Sequence, residues 1–221
     1  MFIESYMKNN LRVSLITTLK NEESSIDGFL NSILNQSRAP DEIIITDGGS
    51  TDRTVEIINQ YIKNGAPIKL IIANGNRSVG RNIAIKNAQS EIIACTDAGN
   101  IIDKDWLKNI VKPFEEDESI DVVAGFYKPV PENIWEECAG ILHTAPLEKI
   151  NPKTFLASAR SIAFKKSAWQ KIGGFPEQYS WNEDTPFNLY LKKAGCKYAF
   201  APGAIVYWRP MPNLKTFLKH S

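Results

Sequence analysis

Two apolar runs of strand length each end abruptly on a lone carboxylate: Glu42-Ile43-Ile44-Ile45-Thr46 on Asp47, and Glu91-Ile92-Ile93-Ala94-Cys95-Thr96 on Asp97. An ionised Asp is costly to bury unpaired, so each is expected at the exposed carboxyl end of its strand. In open α/β sheets that edge is where ligands bind. The competing reading is an Asp that caps the following turn. A first β-branched run delivers Thr17 and Thr18 to the same edge, and three strands converging there favour a site. Other chemistries find no support. There is no Gly-x-x-x-x-Gly-Lys-Ser/Thr loop, Gly48 and Gly49 do not build Gly-x-Gly-x-x-Gly, and serine-nucleophile elbows are absent. His143 and His220 are isolated, and both read as solvated or packed side chains.

The elements that must position these residues alternate. Val13–Leu19 reads as a first strand. Asn21 is expected to cap a helix with Glu22 and Glu23 in its first turn and Ile26, Phe29, Leu30, Ile33 and Leu34 along one face. Residues 42–46 form a second strand, whose continuous Ile run suggests burial on both sides, as in a parallel sheet. Ser50 or Thr51 is expected to cap the next helix, through Tyr61, with Gly65 closing it. A third strand (68–73), a loop (74–77), a helix (78–88) and a fourth strand (91–96) follow. This alternation predicts an α/β fold with right-handed crossovers and a doubly wound, mostly parallel sheet flanked by helices. The second half is less regular: a helix over 103–115, a strand over 120–126, and a Pro-containing loop over 129–152 with a helix near 134–142. An extended segment (161–164), helices over 167–172 and 183–194 separated by Gly173-Gly174, and two short strands (197–201 and 204–208) complete it.

At 221 residues the chain can bury a substantial core, and 43% hydrophobic with 23% charged residues is ordinary for a globular protein. A net charge of +1 supplies no global field for nucleic acid, so nucleic acid is excluded as the expected partner. Cys95, Cys138 and Cys196 lack metal-ligand spacing, and an odd, sparse count fits a reducing compartment. The expected location is the cytoplasm, including the cytoplasmic face of a membrane. Residues 1–10 lack the apolar core of a signal peptide, and no apolar stretch reaches spanning length. Residues 213–221 look like the start of a basic amphipathic helix, so the natural chain is expected to continue, with any membrane association carried there.

Five segments together resemble family-two glycosyltransferases, which have the GT-A fold. Val13-Ser14-Leu15-Ile16 with Asn21-Glu22-Glu23 is similar to their first strand, and Thr46-Asp47-Gly48-Gly49-Ser50-Thr51-Asp52 to their second-strand motif. Gly80-Arg81-Asn82-Ile83-Ala84-Ile85 resembles their Ala-Arg-Asn-x-Gly-Ile segment, and Thr96-Asp97-Ala98-Gly99 takes the place of Asp-x-Asp. Gly173-Gly174-Phe175-Pro176-Glu177, followed by Glu183-Asp184, resembles the acceptor-side segment. The resemblance implies a single GT-A domain, with a nucleotide-binding half over about 12–100 and an acceptor half over about 101–209 carrying a smaller β element. It implies an inverting transfer of a sugar from a UDP- or GDP-type donor to a hydroxyl on a glycan, lipid or protein.

In that resemblance Thr18, Glu22 and Asp47 match positions that hold the base and ribose, Asp47 by accepting from a ring N–H. Arg81 matches a position near the phosphates, its alternative being a surface salt bridge. Asp97 is the expected ligand of a divalent metal, Mg²⁺ or Mn²⁺, that neutralises the departing diphosphate. Asp184 is the expected general base, with Glu183 orienting it, because the pair opens a helix after a loop containing Trp181. Both acids could instead simply favour a helix N-terminus. Arg160, in the polar run 158–164, is expected to face the donor, or else to pair with a surface acid.

Three departures bear on these roles. Gly99 replaces the second carboxylate of Asp-x-Asp, and Gly48 replaces an Asp common after Asp47. Tyr207-Trp208-Arg209 stands where many members have a metal-binding His, and the Arg209 cation is expected to replace part of the metal's charge. The Gln-x-x-Arg-Trp motif of processive synthases is missing, which favours single-sugar transfer. Gly99 also keeps open a module that binds a nucleotide-sugar or a partner without catalysis. Nucleotidyl transfer is disfavoured because Lys20-Asn21-Glu22-Glu23 stands where a glycine-rich, Arg-containing loop would be.

Overall fold

The computed structural model describes residues 11–213. The expectations placed on residues 1–10, on the amphipathic segment beyond Asn213 and on His220 lie outside the described residues. In the first half the elements are β1 (Val13–Leu19), α1 (Ile26–Leu34), β2 (Glu42–Asp47), α2 (Thr54–Lys63), β3 (Ile68–Ile72), α3 (Arg77–Asn87) and β4 (Ile92–Cys95). The second half adds β5 (Ile101–Ile102), α4 (Trp106–Glu116), β6 (Val122–Pro129), α5 (Ile134–His143), a 3₁₀ turn (Leu147–Lys149), β7 (Ile162–Lys165), α6 (Lys166–Lys171), α7 (Asp184–Lys193) and β8 (Tyr198–Trp208).

All eight strands form one sheet in the order β3-β2-β1-β4-β7-β6-β8-β5. β3, β2, β1 and β4 are mutually parallel, with Thr18 opposite Thr46 and Ile16 opposite Cys95. Successive strands step outward from β1 to β3, and then β4 pairs on the opposite side of β1. That reversal opens a crevice outside the carboxyl ends of β1, β2 and β4. The expected acceptor-side β element is the far part of the same sheet, where β7 pairs antiparallel with β4 and β6 while β6 and β8 are parallel.

Strand alternation divides the core into two layers. Val13, Leu15, Ile43, Ile45, Ile92 and Ala94 pack with Phe29, Leu30 and Ile33 of α1, Ile58 of α2 and Trp106, Leu107 and Ile110 of α4. Ile16, Ile44, Ile93 and Cys95 point the other way, against Ala84 and Ile85 of α3, Trp169 of α6 and Phe187 and Leu191 of α7. Burial on both sides explains the unbroken Ile run of β2.

Several boundaries differ from expectation. Asn21 does not cap α1; its backbone is left-handed (φ 57°), and the helix starts at Ile26. Asn21 spends its side chain on Thr51, accepting from that residue's backbone N–H at 2.8 Å. Neither Ser50 nor Thr51 caps α2: Arg53 stands at its N-cap without a side-chain cap bond, and Asp52 Oδ1 accepts from the Thr54 N–H at 3.0 Å. The two expected C-terminal strands are one strand, β8, with an irregularity against β6: Ala124 pairs Phe200, whereas Phe126 pairs Ile205. The short β5 has no counterpart among the expected strands. Among the described residues, no helix is long and apolar enough to cross a membrane.

Candidate active site

The crevice at the switch point is a cleft of about 460 Å³, lined by Thr18 near the end of β1 and Glu22 after it, Gly48 after β2, Asp97 and Gly99 after β4, and Arg77, Arg160, Trp181 and Arg209. A second pocket of about 430 Å³ contains Tyr127, Glu183, Asp184 and Thr185. The two share five wall residues: Arg77, Asp97, Arg160, Trp181 and Met211. Polar ends of the first-half strands thus face one side of a continuous trough, and the N-terminus of α7 faces the other.

Asp97 stands at the junction. Arg81 donates from Nη2 to its Oδ1 at 2.6 Å, while 30% of the Asp97 side chain stays exposed. Burial works to raise the Asp97 carboxyl, but the guanidiniums of Arg81, Arg160 and Arg77 hold it below the ordinary carboxylate value. It is therefore ionised at neutral pH.

Arg81 does not face the cleft. It is a salt bridge, as the alternative reading had it, but an internal one: the side chain is 1% exposed and also pairs with Glu183. Helix α3 packs its inner side against the sheet, and this side carries Arg81 inward between two carboxylates. Its charge is consumed there, so it is not available to a phosphate. Its neighbour Asn82 is equally buried and fixes the segment before α7. Asn82 Oδ1 accepts from the Phe175 N–H at 2.8 Å, and Nδ2 donates to the Phe175 carbonyl at 2.9 Å and to Glu177 at 2.8 Å.

Asp47 is fully buried, and its oxygens are taken by its own loop. Oδ1 accepts from the N–H groups of Gly49 (2.9 Å) and Ser50 (2.8 Å), and Oδ2 accepts from Ser50 Oγ at 2.5 Å. This is the geometry of a turn-holding Asp. Gly48, not Asp47, reaches the cleft wall. Thr18 and Glu22 do line it.

Asp184 is the first residue of α7, and its Oδ2 accepts from the Ala159 N–H at 3.2 Å. Asn188 ties that end of the helix down, donating to the carbonyls of Asp184 (2.7 Å) and Ala157 (2.8 Å). Glu183 is held by Arg81, so the adjacent acids diverge, one into a buried ion pair and one onto the pocket wall. Arg160 lies between two aromatic faces, 4.8 Å from the Trp208 ring and 5.4 Å from Tyr127. Rings on two sides let a guanidinium keep its charge while fixing its position.

Arg209 lines the cleft, but its charge is matched. Nη2 lies 3.0 Å from Glu136 and 2.5 Å from Glu132. Glu136 belongs to α5 and Glu132 lies just before it, and both compete for the charge expected to replace part of a metal's. Arg77, in contrast, was not singled out from the sequence. It opens α3, whose Asn76 cap accepts from the Val79 N–H at 3.0 Å, and its guanidinium sits 4.9 Å from the Trp181 ring. The signal was available, since an Asn cap followed by Arg after a predicted strand places a cation at a helix start beside the site.

Comparison with known proteins follows the same outline. The family model described as glycosyl transferase family 2 matches residues 14–173. The chain belongs to glycosyl transferase family 2. It is 27% identical over 217 residues to the uncharacterized glycosyltransferase EpsJ of Bacillus subtilis, covering 92% of this chain and 62% of that one. Among solved structures, it resembles S. aureus TarS 1-349 in complex with UDP-GlcNAc (TM-score 0.74, 21% identity, 94% of this chain and 61% of that one). It also resembles the mannosyltransferase PcManGT from Pyrobaculum calidifontis in complex with GDP-Man and Mn²⁺ (TM-score 0.70, 20% identity, 90% and 57%). The family 2 chain therefore spans about three fifths of the length of these proteins, and its fold is the GT-A fold.

Proposed function

We propose that this chain transfers a sugar from a nucleotide-diphosphate donor to an acceptor hydroxyl, with inversion at the anomeric carbon. The observation that carries the reading is the continuous trough, with ionised Asp97 and Arg160 at its centre and Asp184 on its far wall. In the first cleft, Thr18 and Gly48 border the base and ribose, and a base N–H would be met by backbone at Gly48 rather than by buried Asp47. Arg160 and Arg77, both held by aromatic rings, face the diphosphate. The acceptor occupies the second pocket, where Trp181 offers a flat surface to a sugar ring.

The acceptor oxygen attacks the anomeric carbon opposite the diphosphate, its proton passes to the Asp184 carboxylate, and the bond from the anomeric carbon to the diphosphate oxygen breaks. Glu183, fixed by Arg81, sets the start of α7 and so the position of Asp184. Among the described residues no three acidic, His or Cys side chains gather as a ready-made metal site, so a divalent cation in the first cleft would rest on fewer protein carboxylates together with the donor's phosphates. The Asp97 carboxylate is ionised and partly exposed there, and the Glu22 carboxylate closes in on the neighbouring position 99. Bound there, Mg²⁺ or Mn²⁺ would neutralise charge on the leaving diphosphate. The UDP-GlcNAc and GDP-Man complexes of the structural neighbours support testing both bases. A thermal-shift panel of UDP- and GDP-sugars, with Mg²⁺, Mn²⁺ or chelator, tests the reading. A rise in Tm with at least one donor is expected, and none with any donor would refute it.

A further inference from the structure

Position 99 is where a second acidic side chain would accompany Asp97, and here it is a glycine with left-handed backbone (φ +79°). Its neighbourhood is not open. A Cβ built on Gly99 would stand 3.1 Å from Glu22 Oε2 and 3.7 Å from Oε1 and Cδ, so the carboxylate of another segment already fills that space. Glu22 is delivered there by a constrained turn. After β1, Asn21 goes left-handed and its N–H donates to Ser50 Oγ at 2.8 Å, while the Glu22 N–H donates to Thr54 Oγ1 at 2.7 Å. Ser25 Oγ then donates to Glu22 Oε2, orienting the carboxylate. Glu22, Asp97 and Gly99 all border the same cleft.

We propose that Glu22 supplies the second carboxylate of the cation site, in place of the one absent at position 99. The inference rests on the reading that the donor cleft holds a divalent cation. The two arrangements compete, because an aspartate at 99 would be strained by its positive φ and would press like charge against Glu22. The same geometry gives Glu22 a different role from the ribose contact expected from sequence.

Mn²⁺ binding to the 221-residue chain, followed by electron paramagnetic resonance with UDP and then GDP present, tests the idea without a turnover assay. Glu22→Gln, which keeps the side chain's shape, is expected to weaken Mn²⁺ about 10- to 100-fold or more. Nucleotide affinity measured in chelator should stay as in the parent. Adding Gly99→Asp to Glu22→Gln is expected to recover part of the Mn²⁺ affinity, while Gly99→Asp alone should not strengthen it. If the parent chain binds no Mn²⁺ with either nucleotide, the cation reading fails and this inference with it. If the parent binds Mn²⁺ and Glu22→Gln binds it equally well, the cation reading stands and Glu22 is not a ligand. If Glu22→Gln instead loses nucleotide affinity in chelator, Glu22 serves the nucleotide directly and the proposal is overturned. Equal Tm values for parent and Glu22→Gln establish that both compare folded protein.

Discussion

Replacing Arg81 with Met is expected to destabilise the protein more than any surface charge change. Arg81 is buried between Asp97 and Glu183, whose side chains are 30% and 6% exposed. Met fills much of the same volume but leaves Glu183 without its cation and Asp97 with only the more distant Arg160 and Arg77. Breaking a buried ion pair from one side costs about 3–5 kcal/mol, against a total stability of about 5–15 kcal/mol. For a chain of this size each kcal/mol moves Tm by about 2–4 °C, so a fall of about 6–20 °C is expected. Differential scanning calorimetry on Arg81→Met measures it directly. Combining Arg81→Met with Asp97→Asn and Glu183→Gln removes all three charges and should return most of the lost stability, because the penalty comes from the unpaired acids rather than from the missing cation. A fall below about 2 °C for Arg81→Met, or no recovery in the triple variant, would refute this account of the site's interior.

Four further outcomes follow from the same geometry. Asp184→Asn should keep donor affinity and lower transfer by about 10²–10⁴-fold, the range of a lost general base, as read by product formation at saturating donor. Arg160→Ala should weaken donor binding by about 10- to 100-fold, the equivalent of one lost charge-assisted hydrogen bond, in calorimetric titration; unchanged affinity would remove Arg160 from the donor site. Gly80→Ala should cost about 1–3 kcal/mol in urea unfolding, since its Cβ would lie 2.1 Å from Thr18 Oγ1, between α3 and β1. The Asp97 carboxyl is held below its ordinary 3.8, so its contribution is complete above about pH 4 and is lost as pH falls through the lower folded value. In Tm-against-pH curves, Asp97→Asn should therefore flatten part of the acid limb below pH 4 and leave the slope between pH 5 and 7 unchanged.

The architecture was legible where patterns are strong. The Ile runs of β2 and β4 and the 3.6-residue spacing in α1, α3 and α4 specify buried parallel strands alternating with helices. Misreadings came where side-chain chemistry allows two answers. Asn21 before two glutamates looks like a cap, yet Asn also tolerates left-handed backbone, and the turn toward Thr51 wins. Asp47 and Asp97 have the same local signature, but the first is satisfied by its own loop, while the second meets partners 16 residues back and in the second half of the chain. Arg81 reads as a phosphate neighbour or a surface salt bridge because helical periodicity says nothing about an acid 102 residues away. The paired aromatics around Arg160 are likewise set by tertiary contact, as Trp208 and Tyr127 belong to different strands.

Helix α3 lies in the first half of the chain, yet its Arg81 and Asn82 end on Glu183, Phe175 and Glu177 of the second half. Evolutionary or laboratory recombination is constrained by that reach. A hybrid joined near residue 100 would mismatch these partners unless both parents share them. The more permissive exchange is of loop tips around Trp181 alone, keeping 77–82, 173–177 and 183 as a co-inherited set. On the proposed reading, acceptor preference would change with what surrounds the trough, while the anchor beneath it is passed on intact.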